Sequence, residues 1–240
     1  MGGCTLKVVK GMETLHAIIG VSSALGRQLA FDLISKGRTV AGTYNSSRQD
    51  VPGVDFLMKC NVTSENDIKD FAAACKERSQ QIVLTYFAGV SRNAYAHKLL
   101  KEDWDDVLQV CLTGAFLAAK EFLPTMRTAQ WGRIIYAGSL VGRIGVAGTS
   151  AYSAAKEGLK GFVRTIAKEN GSMGVTANYI ELGYMNAGLT YTIPESIQAS
   201  LKESIPTNRF GDLNNLFEVV RFIEAADYLN GSVITVSGGL

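Results

Sequence analysis

The chain has 240 residues, 47% hydrophobic and 19% charged; that size and composition exclude wholesale disorder and give enough core to fold without disulfide or metal staples. Lys plus Arg number 24 and Asp plus Glu 22, a net charge of +2, which excludes an electrostatic footprint for nucleic acid or an anionic membrane surface. Glycine is abundant (25) and proline scarce (4), so the glycines belong to tight turns and close backbone approaches within a folded domain, not to a linker.

The first dozen residues read as a short extension. Met1–Leu6 begins like a myristoylation signal, but Leu6 stands where Ser or Thr is required. Lys7, Lys10 and Glu13 leave no apolar core for a signal peptide. No apolar run approaches the ~18–20 residues of a membrane span. Cys4, Cys60, Cys75 and Cys111 show no C-x-x-C spacing, and the only histidines are His16 and His97, so no metal site is expected. Free thiols suit a reducing, cytoplasmic setting.

Strand-like runs then alternate with helical patterns. Leu15–Ile19 is the first strand, and Gly20–Gly26 turns from it into a helix at about 25–36. Strands at Thr39–Thr43 and Val54–Met58 precede a helical pattern at 64–78. Ile82–Phe87 leads to a long helical pattern at 102–126, and Arg133–Ala137 to another at 151–169. Val175–Ile180 is followed by a helical pattern at 213–228 and a last strand at Ser232–Val236. Several strands are continuously apolar, as parallel strands covered on both faces should be. Seven of them alternating with helices predict an α/β fold: a doubly wound, parallel, seven-stranded sheet in a single domain over 1–240.

Two places carry chemistry. After the first strand, Gly20-Val21-Ser22-Ser23-Ala24-Leu25-Gly26 lets the backbone approach a ligand at a helix N-terminus, where a pyrophosphate would sit. The spacing is not G-x-G-x-x-G, and a merely tight turn is the alternative reading. Farther on, Tyr152 and Lys156 share one helix face at i and i+4. An ammonium there would favour the phenolate and lower its pKa from ~10, making Tyr152 an acid towards a carbonyl oxygen. Ser139 follows the strand ending at Ala137. Strand carboxyl ends are where such sheets bind ligands, and the hydroxyl could bond a substrate oxygen.

On these residues the chain resembles the short-chain dehydrogenase/reductase family, with its Rossmann fold. It is most similar to the 3-oxoacyl-[acyl-carrier-protein] reductases. The matching stretches are Gly20–Gly26, Trp104–Val107, Leu112–Phe116, Trp131–Ile135, Gly138–Gly142, Ala151–Lys156 and Val236–Leu240. The resemblance implies hydride transfer from a nicotinamide cofactor in fatty-acid or polyketide-type synthesis. Tyr152 would be the acid, Ser139 would orient the carbonyl, and Lys156 would hold the nicotinamide ribose and tune Tyr152. Gly20, Ser22, Ser23, Leu25 and Gly26 would meet the pyrophosphate. Asn61 and Val62 would lie near adenine, Ala88 and Gly89 near ribose, and Gly183 and Met185 against nicotinamide.

No carboxylate stands at the end of the second strand before Asp50; Asn45, Ser46 and Arg48 stand there instead. They suit a 2′-phosphate, which makes NADPH the expected cofactor. The bland alternative is a solvated polar loop.

The chain departs from the family pattern at Cys111, where a catalytic Asn is usual, at Tyr86-Phe87 before Ala88-Gly89, and at Leu182. A thiol copies the Asn relay poorly. Cys111 then reads as a core residue or as an altered relay position, and Tyr86-Phe87 as a loss of polar support for the sheet. These departures also admit a weakly active cofactor-binding partner subunit, and the fold admits an oxidoreductase acting on another ketone or alcohol. A lid is expected at about 184–210, helical near Glu195–Ser204, with apolar groups suited to an acyl thioester, which the resemblance implies is carried on acyl carrier protein; Arg92, Arg127 and Arg133 are the cations nearest in sequence. The resemblance implies a homotetramer, with Leu117, Phe122, Leu159, Phe162 and Ile166 on faces that would pair between subunits; the sequence alone equally permits core packing for them.

Overall fold

Sheet formation follows from burial. In this computed structural model, which describes residues 13–48 and 50–240, the strands are β1 Leu15–Ile19, β2 Thr39–Tyr44, β3 Phe56–Lys59, β4 Ile82–Tyr86, β5 Gly132–Ala137, β6 Val175–Leu182 and β7 Val233–Val236. The myristoylation-like start and Cys4 lie outside the described residues. β1, β4, β5 and β6 are buried at every position, which explains their predominantly apolar sequences. The order is β3-β2-β1-β4-β5-β6-β7, and every pair is parallel. The chain therefore moves outward from β1 to β3, then crosses to β4 on the other side. Ligands bind in such sheets at that reversal, outside the carboxyl ends of β1 and β4.

The helices are α1 Ala24–Ser35, α2 Glu65–Arg78, α3 Lys101–Leu108, α4 Gly114–Ala129, α5 Val141–Ile144, α6 Ser150–Asn170, α7 Glu195–Ser204 and α8 Asn214–Ala225. One sheet face packs Ile19, Leu84 and Ile134 against Phe71, Phe122 and Leu159 of α2, α4 and α6. The other packs Ile18, Val83 and Ile135 against Leu29, Leu33, Val220 and Ile223 of α1 and α8. Each large side chain so buried contributes roughly 1.5–3 kcal/mol.

The long helix expected at 102–126 is interrupted. Gln109–Thr113 is a π-helical turn, in which the Gly114 N–H donates to the Gln109 carbonyl. The widened turn leaves a carbonyl for an outside donor, and the Tyr86 hydroxyl donates to Val110 O at 2.6 Å. Gly114 makes room, since a Cβ there would overlap the Tyr86 hydroxyl and lie 2.9 Å from Val62 O. Apolar spacing continues through the turn, so periodicity could not reveal it.

Lys101–Ala129 as a whole is long and apolar enough, by length and composition alone, to cross a membrane. It is not an unbroken apolar run, since Lys120 and Glu121 interrupt it. Here Leu117, Ala118, Phe122 and Met126 bury that apolar face in the core. Of the two alternatives for Leu117, Phe122, Leu159 and Ile166, subunit pairing and core packing, their burial selects core packing. Phe116, 46% exposed, is an outward aromatic on α4, in edge contact with Phe162.

Candidate active site

Because all the strands run one way, every segment after a strand emerges at the same edge. The β1–β4 pairing ends with the Phe87 N–H on Ile19 O at 2.8 Å. Gly20 comes next, at φ +87°, and a Cβ there would lie 3.0 Å from Ala88 N. The two lips of the crevice thus meet backbone to backbone. Gly20 N–H donates to Thr43 Oγ1 at 3.1 Å. A Cβ on Gly26 would overlap Gly20 O, so only glycine lets α1 start this close to the turn. Ser23 caps α1, its Oγ accepting from Gly26 N at 3.0 Å. Ser22 and Leu25 are half-buried beside it.

Ser139, Tyr152 and Lys156 gather at the end of β5. Lys156 is buried, and its Nζ donates to Ala137 O at 2.8 Å. That carbonyl meets part of the cost of burying an ammonium. Nζ lies 5.5 Å from the Tyr152 ring centroid, one helical turn away. Ser139 Oγ accepts from Val141 N at 3.2 Å, and Ser139 N–H donates to Tyr179 Oη at 3.0 Å. The opposite lip is close: a Cβ on Gly89 would be 3.9 Å from Lys156 Nζ and 3.7 Å from Cys111 Sγ. A half-buried phenol beside an ammonium and an oriented hydroxyl is equipped to bond and protonate a carbonyl oxygen.

A family model of short-chain dehydrogenases, described as "Enoyl-(Acyl carrier protein) reductase", matches residues 20–240. The chain belongs to the short-chain dehydrogenase/reductase family. It is an oxidoreductase of that family. It is 32% identical over 235 residues to the 3-oxoacyl-[acyl-carrier-protein] reductase FabG of Pseudomonas aeruginosa, covering 93% of this chain and 95% of the relative. Against the 3-oxoacyl-[acyl-carrier-protein] reductase MabA of Mycobacterium avium it is 35% identical, covering 93% and 88%. Against FabG of Haemophilus influenzae it is 30% identical, covering 93% and 96%.

The remaining candidate positions of this short-chain reductase fall as follows. Asn45, Ser46 and Arg48 are exposed just beyond β2. Asn61 spends its side chain locally, Oδ1 accepting from Thr63 N at 3.1 Å and Thr63 Oγ1 at 3.0 Å. Its N–H donates to Asp67 at 2.8 Å. That bond, with another from Ser64, holds the Asp67 carboxyl below its ordinary range. Val62 is a core residue. Gly183 N–H donates to Val236 O at 2.8 Å, and the buried Met185 side chain packs against Gly211. Gly211 N–H also donates to Tyr184 O at 2.9 Å, so the two ends of the expected lid are tied together. Between them α7 forms at the expected place, and Leu189, Tyr191 and Ile197 are outward.

One expectation about the departures, that for Tyr86, is corrected. Tyr86 does not simply lose polar support, since its hydroxyl anchors the π turn. Cys111 is buried and bridges one residue, its thiol donating to Val90 O at 3.4 Å and accepting from Val90 N at 3.5 Å. The arginines are corrected too. Arg133 is buried near the start of β5, at the far edge of the sheet, bonded to the carbonyls of Glu224 and Gly174 and stacked on Trp131. Arg127 bonds Asn170 Oδ1 at 2.7 Å at the same far edge. Only Arg92, on the loop after β4, lies on the site side, and it pairs with Asp103 and Asp106.

Other groups had no signal in the sequence. Glu181 on β6 is buried and accepts from Lys160 at 2.7 Å, Arg143 at 2.9 Å and Thr235 at 3.1 Å. A cavity of about 340 Å³ lies between α1 and α8, lined by Lys36, Arg38, Phe217 and Glu224 among others. It shares no residue with the Ser139, Tyr152 and Lys156 cluster. Among the described residues no group of His, Cys, Asp and Glu is arranged to hold a metal.

Proposed function

We propose that this chain reduces a 3-oxoacyl thioester to the 3-hydroxyacyl form with NADPH, and that Tyr152 gives the proton. The observation that carries this reading is the buried Lys156 ammonium, fixed on Ala137 O one turn from Tyr152. Val141 N–H occupies a lone pair of Ser139 Oγ and leaves its own proton for a substrate oxygen. Ser139 and Tyr152 then bond the ketone oxygen, and Tyr152 protonates it. NADPH, when bound, supplies the hydride to the carbonyl carbon. A dinucleotide fits the bare backbone at Gly20 and Gly26, where side chains would fill the cradle. The exposed Asn45, Ser46 and Arg48, with no carboxylate among them, favour a 2′-phosphate.

The names of the relatives support the 3-oxoacyl thioester, presented on acyl carrier protein. Residues 184–210 close over the acyl chain, with Ser22, Ser23 and Leu25 at the pyrophosphate, Asn61 and Val62 at adenine, Ala88 and Gly89 at ribose, and Gly183 and Met185 at nicotinamide. The protein works in the cytoplasm as a homotetramer, with Phe116 in a subunit contact.

The test is NADPH oxidation with acetoacetyl thioesters, with simple ketones in parallel. Tyr152→Phe should lower kcat by about 10²–10⁴-fold; near-normal turnover would overturn the assignment. A second reading, a cofactor-binding partner subunit, is favoured by Cys111, whose thiol is spent on Val90. NADPH binding without turnover on any ketone would select it.

A further inference from the structure

Tyr179 stands in the middle of β6, fully buried, and is opposite Tyr136 of β5. Beyond β5 the chain keeps bonding to β6: Gly138 N–H to Ile180 O and Leu140 N–H to Leu182 O, both 2.8 Å. The intervening Ser139 N–H points away from that ladder, and β4 has already ended at Tyr86. A buried N–H without a partner is costly. The Tyr179 hydroxyl supplies the partner, accepting from Ser139 N at 3.0 Å.

The ring reaches this N–H only because residue 138 is glycine. A Cβ on Gly138 would overlap the Tyr179 ring. The ring has a second neighbour. Lys160 Nζ lies 5.6 Å from its centroid and is fixed by Glu181, two residues along the same face of β6. Burial keeps the phenol protonated, so its oxygen remains a neutral acceptor.

We propose that Tyr179 is a positioning residue for Ser139: its ring passes beneath Gly138 and its hydroxyl fixes the Ser139 backbone, and thereby the direction of Ser139 Oγ. Two anchors set that hydroxyl, Tyr179 on the amide and Val141 N–H on Oγ. The proposal rests on Ser139 acting as the substrate-orienting group. Tyr179 touches neither substrate nor cofactor in this scheme and acts through Ser139 alone.

A double-mutant cycle tests it. Tyr179→Phe keeps the ring and deletes the oxygen. It should lower kcat for acetoacetyl thioester reduction about tenfold, the scale of one hydrogen bond. NADPH affinity, measured by fluorescence titration, should stay within about twofold, because the change reaches only the substrate side. In a Ser139→Ala background the same change should cost less than about twofold, because there is no hydroxyl left to orient. A tenfold loss persisting in that background, or a Tyr179→Phe enzyme of normal kcat beside a defective Ser139→Ala, would overturn the positioning role alone. A fully active Ser139→Ala would overturn the site reading together with this one. Should Tyr179→Phe fail to fold, Gly138→Ala takes its place in the cycle. It forces the ring off the Ser139 amide and should give the same kcat loss, equally dependent on Ser139; an unchanged kcat overturns the proposal.

Discussion

Gly114 and Tyr86 are mutually fitted: the Tyr86 hydroxyl occupies the space that a side chain on Gly114 would take, and there it donates to Val110 O. Gly114→Ala should therefore destabilise the fold by about 1–3 kcal/mol, although alanine is the better helix former. In a Tyr86→Phe background much of that loss should vanish, because the oxygen is gone. Urea titration of the four proteins gives the coupling. Independent, additive losses would show that the two residues do not meet in solution.

Arg48 is exposed at the end of β2 and, on the proposed reading, meets a 2′-phosphate. Arg48→Ala should lower kcat/KM for NADPH about tenfold, one charge-assisted bond, and leave NADH unchanged. Equal losses with both coenzymes would remove that role.

His16 is fully buried on β1, and neither ring nitrogen has a hydrogen-bond partner. Nε2 lies 3.6 Å from Glu224, beyond hydrogen-bond reach, while Arg38 holds the other Glu224 oxygen at 3.1 Å. Burial, and then the Arg38 charge, push the imidazole down to about 3. The unfolded chain takes up this proton near ~6.5 and the folded chain does not. Stability is thus intact above that pH and falls as pH drops from there towards the folded value. Burial raises the Glu224 carboxyl, which acts in the opposite sense nearer the carboxylate range. Urea midpoints should fall between about pH 7 and pH 5, and His16→Leu should flatten that slope. The same slope in both proteins would assign the titration to other groups.

Glu181→Gln should cost about 3 kcal/mol or more, because it leaves Lys160 buried with only Glu157 as a charged partner. Burial opposes ionisation of Glu181, yet Lys160 and Arg143 outweigh it and hold the carboxyl below its ordinary range. Its contribution is therefore present above the unfolded carboxylate pKa and is lost as pH falls through the lower folded value. Thermal melts of both proteins at neutral and acid pH should converge on acidification. A constant gap would show that the carboxylate charge is not what stabilises.

Cys60, Cys75 and Cys111 are buried. Burial, helped by Asp67, pushes the Cys60 thiol up to about 12, and burial raises Cys75 as well. Alkylation of the native protein, mapped by mass spectrometry, should leave all three unmodified until denaturant is added. Rapid native labelling of Cys111 would show that the Val90 bridge opens.

The sequence disclosed the sheet almost to the residue because its central strands are buried on both faces and so are mostly apolar and β-branched, with few polar interruptions. The Gly20–Gly26 turn and the Tyr152–Lys156 pair were legible because each is a local pattern: a strand-to-helix turn and an i, i+4 spacing on one helix. The π turn was not, because what makes it is Tyr86, remote in sequence and brought over by the β4–α4 packing. Arg133 was misplaced for the same reason: proximity in sequence to Ser139 is distance along a strand, and the two stand at opposite edges of the sheet. Tyr179 and Glu181 passed as ordinary strand residues, since only the neighbouring β5 end, α6 and β7 give them polar partners.

The strand order has a kinetic consequence. The crevice exists only when β4 lies against β1, and that pairing must wait until the whole excursion through β2, β3 and α2 has been closed. Such non-local parallel pairing is slow compared with helix formation. During refolding, helical signal should return early; on the proposed reading, NADPH binding should return later, with the burial of Tyr86.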